Sequence, residues 1–383
     1  MTGYCPLNMT KQSHLWKVCL ASLLLANPKS SNLRIQEGLE ELNEVGGLTA
    51  VALGWYMAKR GTLVAARYVE AKLGKPSLVR ETSRLTPLEL IKHPVRSRTK
   101  LFKKEEDPLK GIILSPGLES QLRDLAIKTK NTKRNNGFFQ NVLFYGPPGA
   151  GKTLFAKSLA HHSSLDYAIL TGGDVAPMGR DGVSAMHKVF DWAESSRKGL
   201  LLFIDEADAF LRKRAKAQIS EDLRATLNAF LYRTGEQSRK FMLIIASNQP
   251  EDFDWAINDR LDQVIEFTLP GMIERERILL QYFSEFIAIP ATSGSKKQRL
   301  KLVDFDWVKK CAEIAKKTEG LSGRELSKLV LGWQASAYAT VDGLLTSEII
   351  DYNTAKMMEQ HSRKMAWLDK EQLDVRERAV EVI

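Results

Sequence analysis

Residues 146–153 read GPPGAGKT, in which two glycines bracket a short stretch that ends in a lysine and a hydroxyl residue. The spacing GxxxxGK[ST] lets glycine backbone adopt conformations closed to other residues, so that successive N–H groups point at an anion beside a helix N-terminus. This pattern predicts a phosphate cradle rather than a plain turn between a strand and a helix, with Lys152 against the β- and γ-phosphates of a nucleotide and the Thr153 hydroxyl on Mg²⁺. The predicted cradle consists of Gly146, Pro147, Pro148, Gly149, Ala150, Gly151, Lys152 and Thr153.

An acidic pair follows an apolar run further along the chain. The segment LLLFIDEAD, residues 200–208, predicts a buried strand that delivers Asp205 and Glu206 at its C-terminal end, where open α/β sheets bind ligands. Asp205 suits Mg²⁺ coordination, and Glu206 can take the proton of an attacking water. The pair is only moderately specific alone, but a metal on Thr153 needs an acidic partner across the site. Together the two motifs predict binding and hydrolysis of Mg-ATP.

Two further polar residues have both a functional and a structural interpretation. The run FMLIIASN ends at Asn248, which is able to orient the attacking water or simply to cap the turn before Pro250. Arg260, in WAINDRLD, is either a surface charge or a finger that reaches the γ-phosphate held by a neighbouring subunit.

The elements that must position these residues are visible from about residue 137. Apolar, strand-like runs alternate there with helical patterns: NVLFY, DYAIL, LLLFID, FMLIIAS and QVIEFTL. Strands separated by helices predict an α/β fold with a parallel sheet and right-handed crossovers. With 383 residues and 44% apolar composition, the chain can form two or three structural units. Its three cysteines are too few for a disulfide framework, which favours a reducing compartment.

The N-terminal part contains two apolar stretches. Residues 45–58 lack any charge and span roughly 21 Å as a helix, less than a hydrocarbon layer of ~30 Å. They are interpreted as a membrane span or as an interfacial or buried helix; if they span, the following basic residues place the phosphate cradle on the side that has ATP. Residues 18–26 resemble the apolar part of a secretory signal, although an organellar targeting segment or an N-terminus other than the natural one also fits.

The positive charge of the chain is concentrated in one segment. The formal net charge is +10, and residues 59–134 carry 19 Lys and Arg against 8 Asp and Glu, a net charge of +11. Basic residues beside a membrane segment favour contact with anionic lipid, while direct contact with DNA and a plain solvated linker are the alternatives.

The motifs carry a family resemblance. GPPGAGKT, LLLFIDEAD, IIASN and NDR resemble those of AAA-type ATPases across roughly residues 107–345. The longer strings YGPPGAGKTLFAKSLA, IDEADAFLRKR, SNQPEDFDWAINDRLD and EAKLGKPSLVRETSR closely resemble the family of ATPase family AAA domain-containing protein 3, mitochondrial inner-membrane proteins, and extend the match upstream to about residue 45.

The resemblance implies a RecA-like P-loop sheet of order 5-1-4-3-2, a C-terminal helical lid, a homo-oligomeric ring that is usually a hexamer, and one membrane pass with the ATPase domain in the mitochondrial matrix. The expected organisation is an N-terminal segment 1–44, helical or disordered, a candidate transmembrane helix 45–60, a basic linker and start of the ATPase domain 61–136, a large α/β subdomain 137–271, and the lid with C-terminal helices 272–383.

The resemblance also assigns roles to residues. Asn248 matches the sensor on the fourth strand, Arg260 matches the arginine finger, and Arg324, in GLSGREL, matches a second sensor of the γ-phosphate. Residues 111–113 would form the adenine wall, and residues 177–179 occupy the place of the pore loop that grips polypeptide in many relatives. These positions are Gly111, Ile112 and Ile113 for the wall, and Pro177, Met178 and Gly179 for the pore loop, where many relatives carry an aromatic residue, a hydrophobic residue and a glycine.

Two functional hypotheses follow from the resemblance and the charge pattern. The first is an ATP-driven remodeller of protein or membrane assemblies at the mitochondrial inner membrane that supports mitochondrial organisation, nucleoids and lipid handling. The alternative is a nucleotide-dependent scaffold that tethers mitochondrial nucleoids, their proteins or their DNA, to the membrane through the basic segment. The residues do not name the protein substrate.

Overall fold

The computed structural model describes residues 75–84, 107–211, 220–292, 300–302, 305–340 and 342–381, all within one compact unit. The apolar stretches 18–26 and 45–58 and a large part of the basic segment lie outside these ranges. None of the helices within the ranges is long and apolar enough to cross a bilayer.

A six-stranded sheet forms the centre of the structure. Its strands are β1 (Glu81–Thr82), β2 (Val142–Tyr145), β3 (Asp166–Thr171), β4 (Leu200–Asp205), β5 (Phe241–Ser247) and β6 (Gln263–Glu266). The strand order is β1-β3-β4-β5-β2-β6, and all neighbours are parallel except β1 and β3. The expected order 5-1-4-3-2 for the five parallel strands is confirmed. The antiparallel edge strand β1 was not predicted, because two residues are too short to show a periodic pattern.

Helices cover both faces of the sheet, as its apolar strands require. They are α1 (Pro116–Arg134), α2 (Lys152–His162), α3 (Gly172–Val175), α4 (Asp181–Glu194), α5 (Glu221–Arg233) and α6 (Trp255–Asn258). Alternate strand residues enter two separate cores, so Val142 and Phe144 pack on one side while Leu143 packs on the other. One core contains the contacting rings of Phe144 and Phe155, and the second contains the rings of Phe190 and Phe230, which also touch.

The lid is a helical layer with its own core. It comprises α7 (Met272–Phe283), a π-helical turn (Ser284–Ala288), α8 (Ile289–Thr292), β7 (Lys301–Leu302), α9 (Trp307–Lys317), α10 (Gly323–Ala339), β8 (Leu344–Leu345) and α11 (Ser347–Glu381). Trp333 is fully buried at its centre and meets the ring of Phe283. The parallel pair β7–β8 was not predicted, again because each strand has two residues.

The start of α10 is fixed by a capping box. The Ser322 hydroxyl accepts a hydrogen bond from the Glu325 backbone N–H, and the Glu325 carboxylate accepts one from the Ser322 backbone N–H. Such reciprocal bonds satisfy two of the free N–H groups at a helix N-terminus. The His361 ring on α11 lies 3.2 Å from Glu325, so the same carboxylate also ties α11 to α10. The capping box therefore fixes the first turn of α10, and Glu325 also attaches this turn to α11.

Candidate functional site

The phosphate cradle connects β2 to α2. Gly146 has φ 134°, and a Cβ at this position would lie 2.1 Å from the carbonyl oxygen of Phe267. The Phe267 N–H donates to the Tyr145 carbonyl at 2.7 Å, so the turn packs against the end of β6. Gly151, at the N-cap of α2, has φ 104° with open space where a Cβ would be. Both positions favour glycine, the first for space and conformation and the second for conformation alone.

Lys152 is held at the base of the cradle with only 7% of its surface exposed. Its Nζ donates to the Gly146 carbonyl at 2.5 Å and the Pro147 carbonyl at 3.1 Å, and to Asn248 Oδ1 at 2.9 Å. Burial lowers the pKa of Lys152, an effect that Asp205 opposes and the nearby guanidinium of Arg324 reinforces. A buried ammonium with mostly neutral partners favours an anionic ligand, because an anion restores the attraction lost with water.

The acidic pair faces the cradle across the sheet edge. The Thr153 hydroxyl donates to Asp205 Oδ2 at 2.9 Å, which brings together the two predicted Mg²⁺ ligands. Within the described ranges no three His, Cys, Asp or Glu side chains form a metal cluster. The donor set of one hydroxyl and one carboxylate nevertheless fits Mg²⁺, which takes few protein ligands and completes its shell with phosphate oxygens and water.

Glu206 has an unusual backbone conformation. Its φ of 50° and ψ of 43° lie in the left-handed region, which is rare for a residue with a long side chain. Ala207, which follows, is fully buried, while Glu206 itself is exposed and lines the cavity beside the cradle. Strain of this kind persists where the surroundings hold a residue in place, and it is common at functional sites. The strained turn places Glu206 at the border of the cavity.

A cavity of 430 Å³ lies between the cradle and the lid. The structure brings the predicted adenine wall, Gly111, Ile112 and Ile113, to this cavity together with cradle residues 148–153, the acidic pair and Asn248, whereas Gly146 and Pro147 do not line it. Sequence reasoning missed several of its lining residues, namely Leu114, Leu154, Lys157, Ile278, Gln281, Tyr282, Gly323 and Ser327. Most of these belong to α2 and to the lid, where an apolar or polar residue at helical spacing carries no local sign of a ligand.

The lid touches the cradle directly. The Arg324 N–H donates to the Gly149 carbonyl at 3.3 Å, and a Cβ on Gly149 would come within 2.9 Å of the Ser322 hydroxyl. Gln281, a second lid residue that lines the cavity, donates from Nε2 to the Gly111 carbonyl at 3.1 Å. The exposed Arg324 side chain lines the cavity, as its predicted role requires. The signal that could have located this contact is the capping-box sequence SGRE at 322–325.

Arg260, the predicted arginine finger, lies outside the cavity. Its Nε donates to the Leu231 carbonyl at 3.2 Å, its Nη1 donates to the Ala256 carbonyl, and it does not line the cavity. Tyr232 and Trp255, each adjacent in sequence to one of these carbonyl residues, are 79% and 81% exposed. Large aromatic side chains are rarely this exposed, and they are enriched at protein–protein interfaces.

The predicted pore loop adopts a short turn. Ala176–Met178 form a 3₁₀ helix, and Gly179 follows with φ 53°. Met178 is half-buried and packs against the core on its side of the sheet, while Pro177 is exposed. The methionine therefore contributes to the fold, and its role in gripping polypeptide stays a prediction.

Comparison with known proteins agrees with this geometry. Residues 142–269 match the family model of the ATPase family associated with various cellular activities (AAA), and residues 38–80 match that of the N-terminal region of ATPase family AAA domain-containing protein 3. The AAA domain of FIGL-1, solved in complex with ADP, has a TM-score of 0.53 and 18% sequence identity over 70% of this chain and 91% of that one. At this identity the likeness shows the fold.

Two relatives with much higher sequence identity than the AAA domain of FIGL-1 carry similar names. The chain is 69% identical over 360 residues to ATPase family AAA domain-containing protein 3 of Caenorhabditis elegans, covering 92% of this chain and 60% of that protein. It is 61% identical over 327 residues to ATPase family AAA domain-containing protein 3A of Homo sapiens, covering 85% of this chain and 56% of that protein. The resemblance found in the sequence is confirmed, and the chain spans little more than half the length of these relatives.

The two cradle glycines provide a test of this geometry. We expect Gly146→Ala to lower the free energy of unfolding by at least about 1 kcal/mol more than Gly151→Ala, because only the first places a methyl group on a backbone oxygen. Gly151→Ala is the matched control, since it also requires a positive φ but meets open space. Urea denaturation of the purified chain measures both, and equal losses would contradict the described packing of the cradle on Phe267.

Proposed function

From the AAA domain at residues 142–269 and the similarity of most of the chain to ATPase family AAA domain-containing protein 3, we propose that this protein hydrolyses Mg-ATP in an oligomeric ring. The observation that carries the proposal is the convergence of a buried lysine, a hydroxyl–carboxylate pair and a strained glutamate on one cavity. The cavity has room for a nucleotide between the cradle and the lid, with apolar residues on the side of the expected adenine.

Each side chain has a defined task in this proposal. Lys152 neutralises phosphate charge, and its bond to Asn248 links the cradle to the residue that orients the attacking water. Glu206 takes a proton from that water. Thr153 and Asp205 would hold Mg²⁺, which would neutralise charge on the phosphate oxygens. Arg324, which reaches the same cavity from the lid, senses the γ-phosphate.

The placement of Arg260 supports a site shared between subunits. Arg260 does not line the cavity of its own chain, and its guanidinium donates to the carbonyls of Leu231 and Ala256, the sequence neighbours of the exposed Tyr232 and Trp255. We propose that this surface meets the nucleotide cavity of a neighbouring copy, in a homo-oligomer that the resemblance implies to be a hexamer. The positive charge would then stabilise the transferring phosphoryl group of that neighbour.

The cellular role we propose is remodelling of protein or membrane assemblies at the mitochondrial inner membrane, with the ATPase domain in the matrix. Its support is the similarity to the relatives and the match of residues 38–80 to their N-terminal family model. Contact with anionic lipid is proposed for the basic segment at residues 59–134. Nothing in the described part of the chain favours tethering of nucleoids over this role.

Substitution of Glu206 separates hydrolysis from binding. We expect Glu206→Gln to retain Mg-ATP affinity while lowering turnover at least about a hundredfold, because the cradle and metal ligands remain and only water activation is lost. Lys152→Ala should instead weaken Mg-ATP binding by about tenfold or more, because a charge-assisted bond to phosphate is removed. Phosphate release and nucleotide titration measure the two effects. Near-normal hydrolysis by Glu206→Gln would remove this residue from the assigned role.

The shared site is tested by mixing two inactive variants. Arg260→Ala subunits keep an intact cradle, whereas Lys152→Ala subunits cannot bind ATP well but still present their arginine. Under conditions that let subunits exchange, mixed assemblies place intact cradles beside intact arginines, so we expect part of the ATPase rate to return. The recovery should rise with protein concentration, because association creates the site.

A second mixture tests the same shared site. It combines Arg260→Ala with Glu206→Gln, and each variant is also measured alone. Arg260→Ala supplies an intact Glu206 and Glu206→Gln supplies an intact arginine, so recovery is expected here as well if the two groups act on one site from different subunits. Normal hydrolysis by Arg260→Ala alone, or no recovery in verified mixed assemblies, would contradict the shared site.

A further inference from the structure

A short segment before the AAA domain is attached to the edge of the sheet. We call residues 75–84 the strap; its strand β1 pairs antiparallel with β3, and Leu78 and Val79 are each 2% exposed within the core. The Arg80 N–H donates to the Ile169 carbonyl at 2.9 Å, and the Ser83 N–H donates to the Tyr167 carbonyl at 3.0 Å. These contacts fix the path of the strap on β3.

The side chain of Arg80 extends from the strap to the turn that follows β3. Its Nε and Nη2 each donate to one oxygen of Asp174 at 2.6 Å, a bidentate arrangement. The two side chains are 59% and 34% exposed, so the pair adds little to the stability of the fold. Its geometric effect is larger, because two parallel bonds to a planar guanidinium fix the orientation of the carboxylate.

The turn that Arg80 holds is packed directly against Glu206. Asp174 belongs to α3, whose first residue is Gly172. A Cβ at Gly172 would lie 2.3 Å from the Glu206 carbonyl oxygen and 3.1 Å from the Ala207 Cα, so the two backbones are in contact. The left-handed backbone of Glu206 therefore cannot relax in this direction without moving α3. Arg80 and Glu206 are thus connected through a single short turn.

The charge of Arg80 and the contacts of the next strap residue, Glu81, support this connection. The hydrogen bonds that Arg80 donates to Asp174 raise the pKa of Arg80, and the negative charge of Glu206 raises it further by a smaller amount. Next to Arg80, the Glu81 carboxylate accepts hydrogen bonds from Lys157 Nζ at 2.9 and 2.7 Å. Lys157 lines the nucleotide cavity. Arg80 thus contacts the turn that packs on Glu206, and Glu81 contacts a residue that lines the cavity.

We propose that Arg80 is a positioning residue for the ATP hydrolysis proposed above. By holding Asp174, it keeps α3 against the backbone of Glu206 and so keeps the carboxylate directed at the attacking water. The inference rests on the proposed ATPase function, but it concerns a residue outside the AAA family match at 142–269. Arg80 is also the last residue of the match to the N-terminal family model, so it joins that region to the reaction site.

The strap offers a matched control for the test. Arg84, four residues on, donates from Nη1 to the Trp192 carbonyl at 2.6 Å and lies over the Trp192 ring at 4.7 Å. It secures the strap to the end of α4 and touches neither Asp174 nor the cavity. Arg84→Gln therefore loosens the attachment of the strap without removing the contact to α3.

The experiment compares steady-state ATP hydrolysis by the full chain in its wild-type form and in Arg80→Gln, Arg80→Lys, Asp174→Asn and Arg84→Gln variants. We expect Arg80→Gln and Asp174→Asn each to lower kcat about tenfold with KM and Mg-ATP affinity unchanged, because only the reacting geometry is disturbed. A double variant that combines Arg80→Gln and Asp174→Asn should lose no more kcat than either single variant, because both substitutions remove the same contact. Arg80→Lys should recover part of kcat, and Arg84→Gln should stay within about twofold of the wild type.

The outcomes distinguish this inference from the function on which it rests. A wild-type kcat in Arg80→Gln, an equal loss in Arg84→Gln, or a loss that appears only in KM would overturn the positioning role while leaving the ATPase intact. If the wild-type chain hydrolyses ATP no faster than Glu206→Gln, both the proposed hydrolysis and the inference are refuted. Urea denaturation of each variant shows whether a lost kcat reflects unfolding.

Discussion

Lys152 carries a charged ammonium group into a position with 7% exposure, and removal of such a group from water costs several kcal/mol unless polar partners replace the solvent. The replacement here depends on strand register. Tyr145, the last residue of β2, pairs with Ser247, the last residue of β5. Gly146 and Asn248 follow these two residues, and both accept a hydrogen bond from the Lys152 ammonium. The conformation of Gly146 and the contact with Phe267 hold the carbonyl in place. The cradle, the end of β5 and the end of β6 are therefore organised around one buried charge.

The acidic pair depends on the same sheet. β4 lies next to β5, with Ile204 opposite Ile245, and Ile245 in turn lies opposite Leu143 of β2, so Asp205 ends its strand two residues before the level at which the cradle begins. Its carboxylate then accepts the Thr153 hydroxyl from the first turn of α2. Glu206 follows in a left-handed conformation that packing of Ala207 and of α3 maintains. The chemistry of the site thus requires three adjacent parallel strands in register, together with one strained residue.

The sequence predicted the parts of this arrangement that have local signals. The cradle has a fixed spacing, and the five parallel strands are apolar runs between helical patterns. The order of these strands in the sheet followed from the family resemblance. The strap, by contrast, forms a strand of two residues, and its pair Arg80–Asp174 joins positions 94 residues apart. Gln281 and Tyr282 likewise reach the cavity only because the lid folds back over Gly111. Tertiary contacts of this kind leave no periodic pattern, and a single sequence does not contain the information to pair them.

The central claim is that the cradle, the acidic pair and the lid form one nucleotide site. Hydrogen–deuterium exchange of the full chain, with and without Mg²⁺ and a non-hydrolysable ATP analogue, tests this directly. We expect amide protection to rise together in residues 111–114, 146–154, 278–282 and 323–327, since each of these segments contains residues that line the cavity. Protection confined to 146–154, with the lid and residues 111–114 unchanged, would contradict a site closed by the lid.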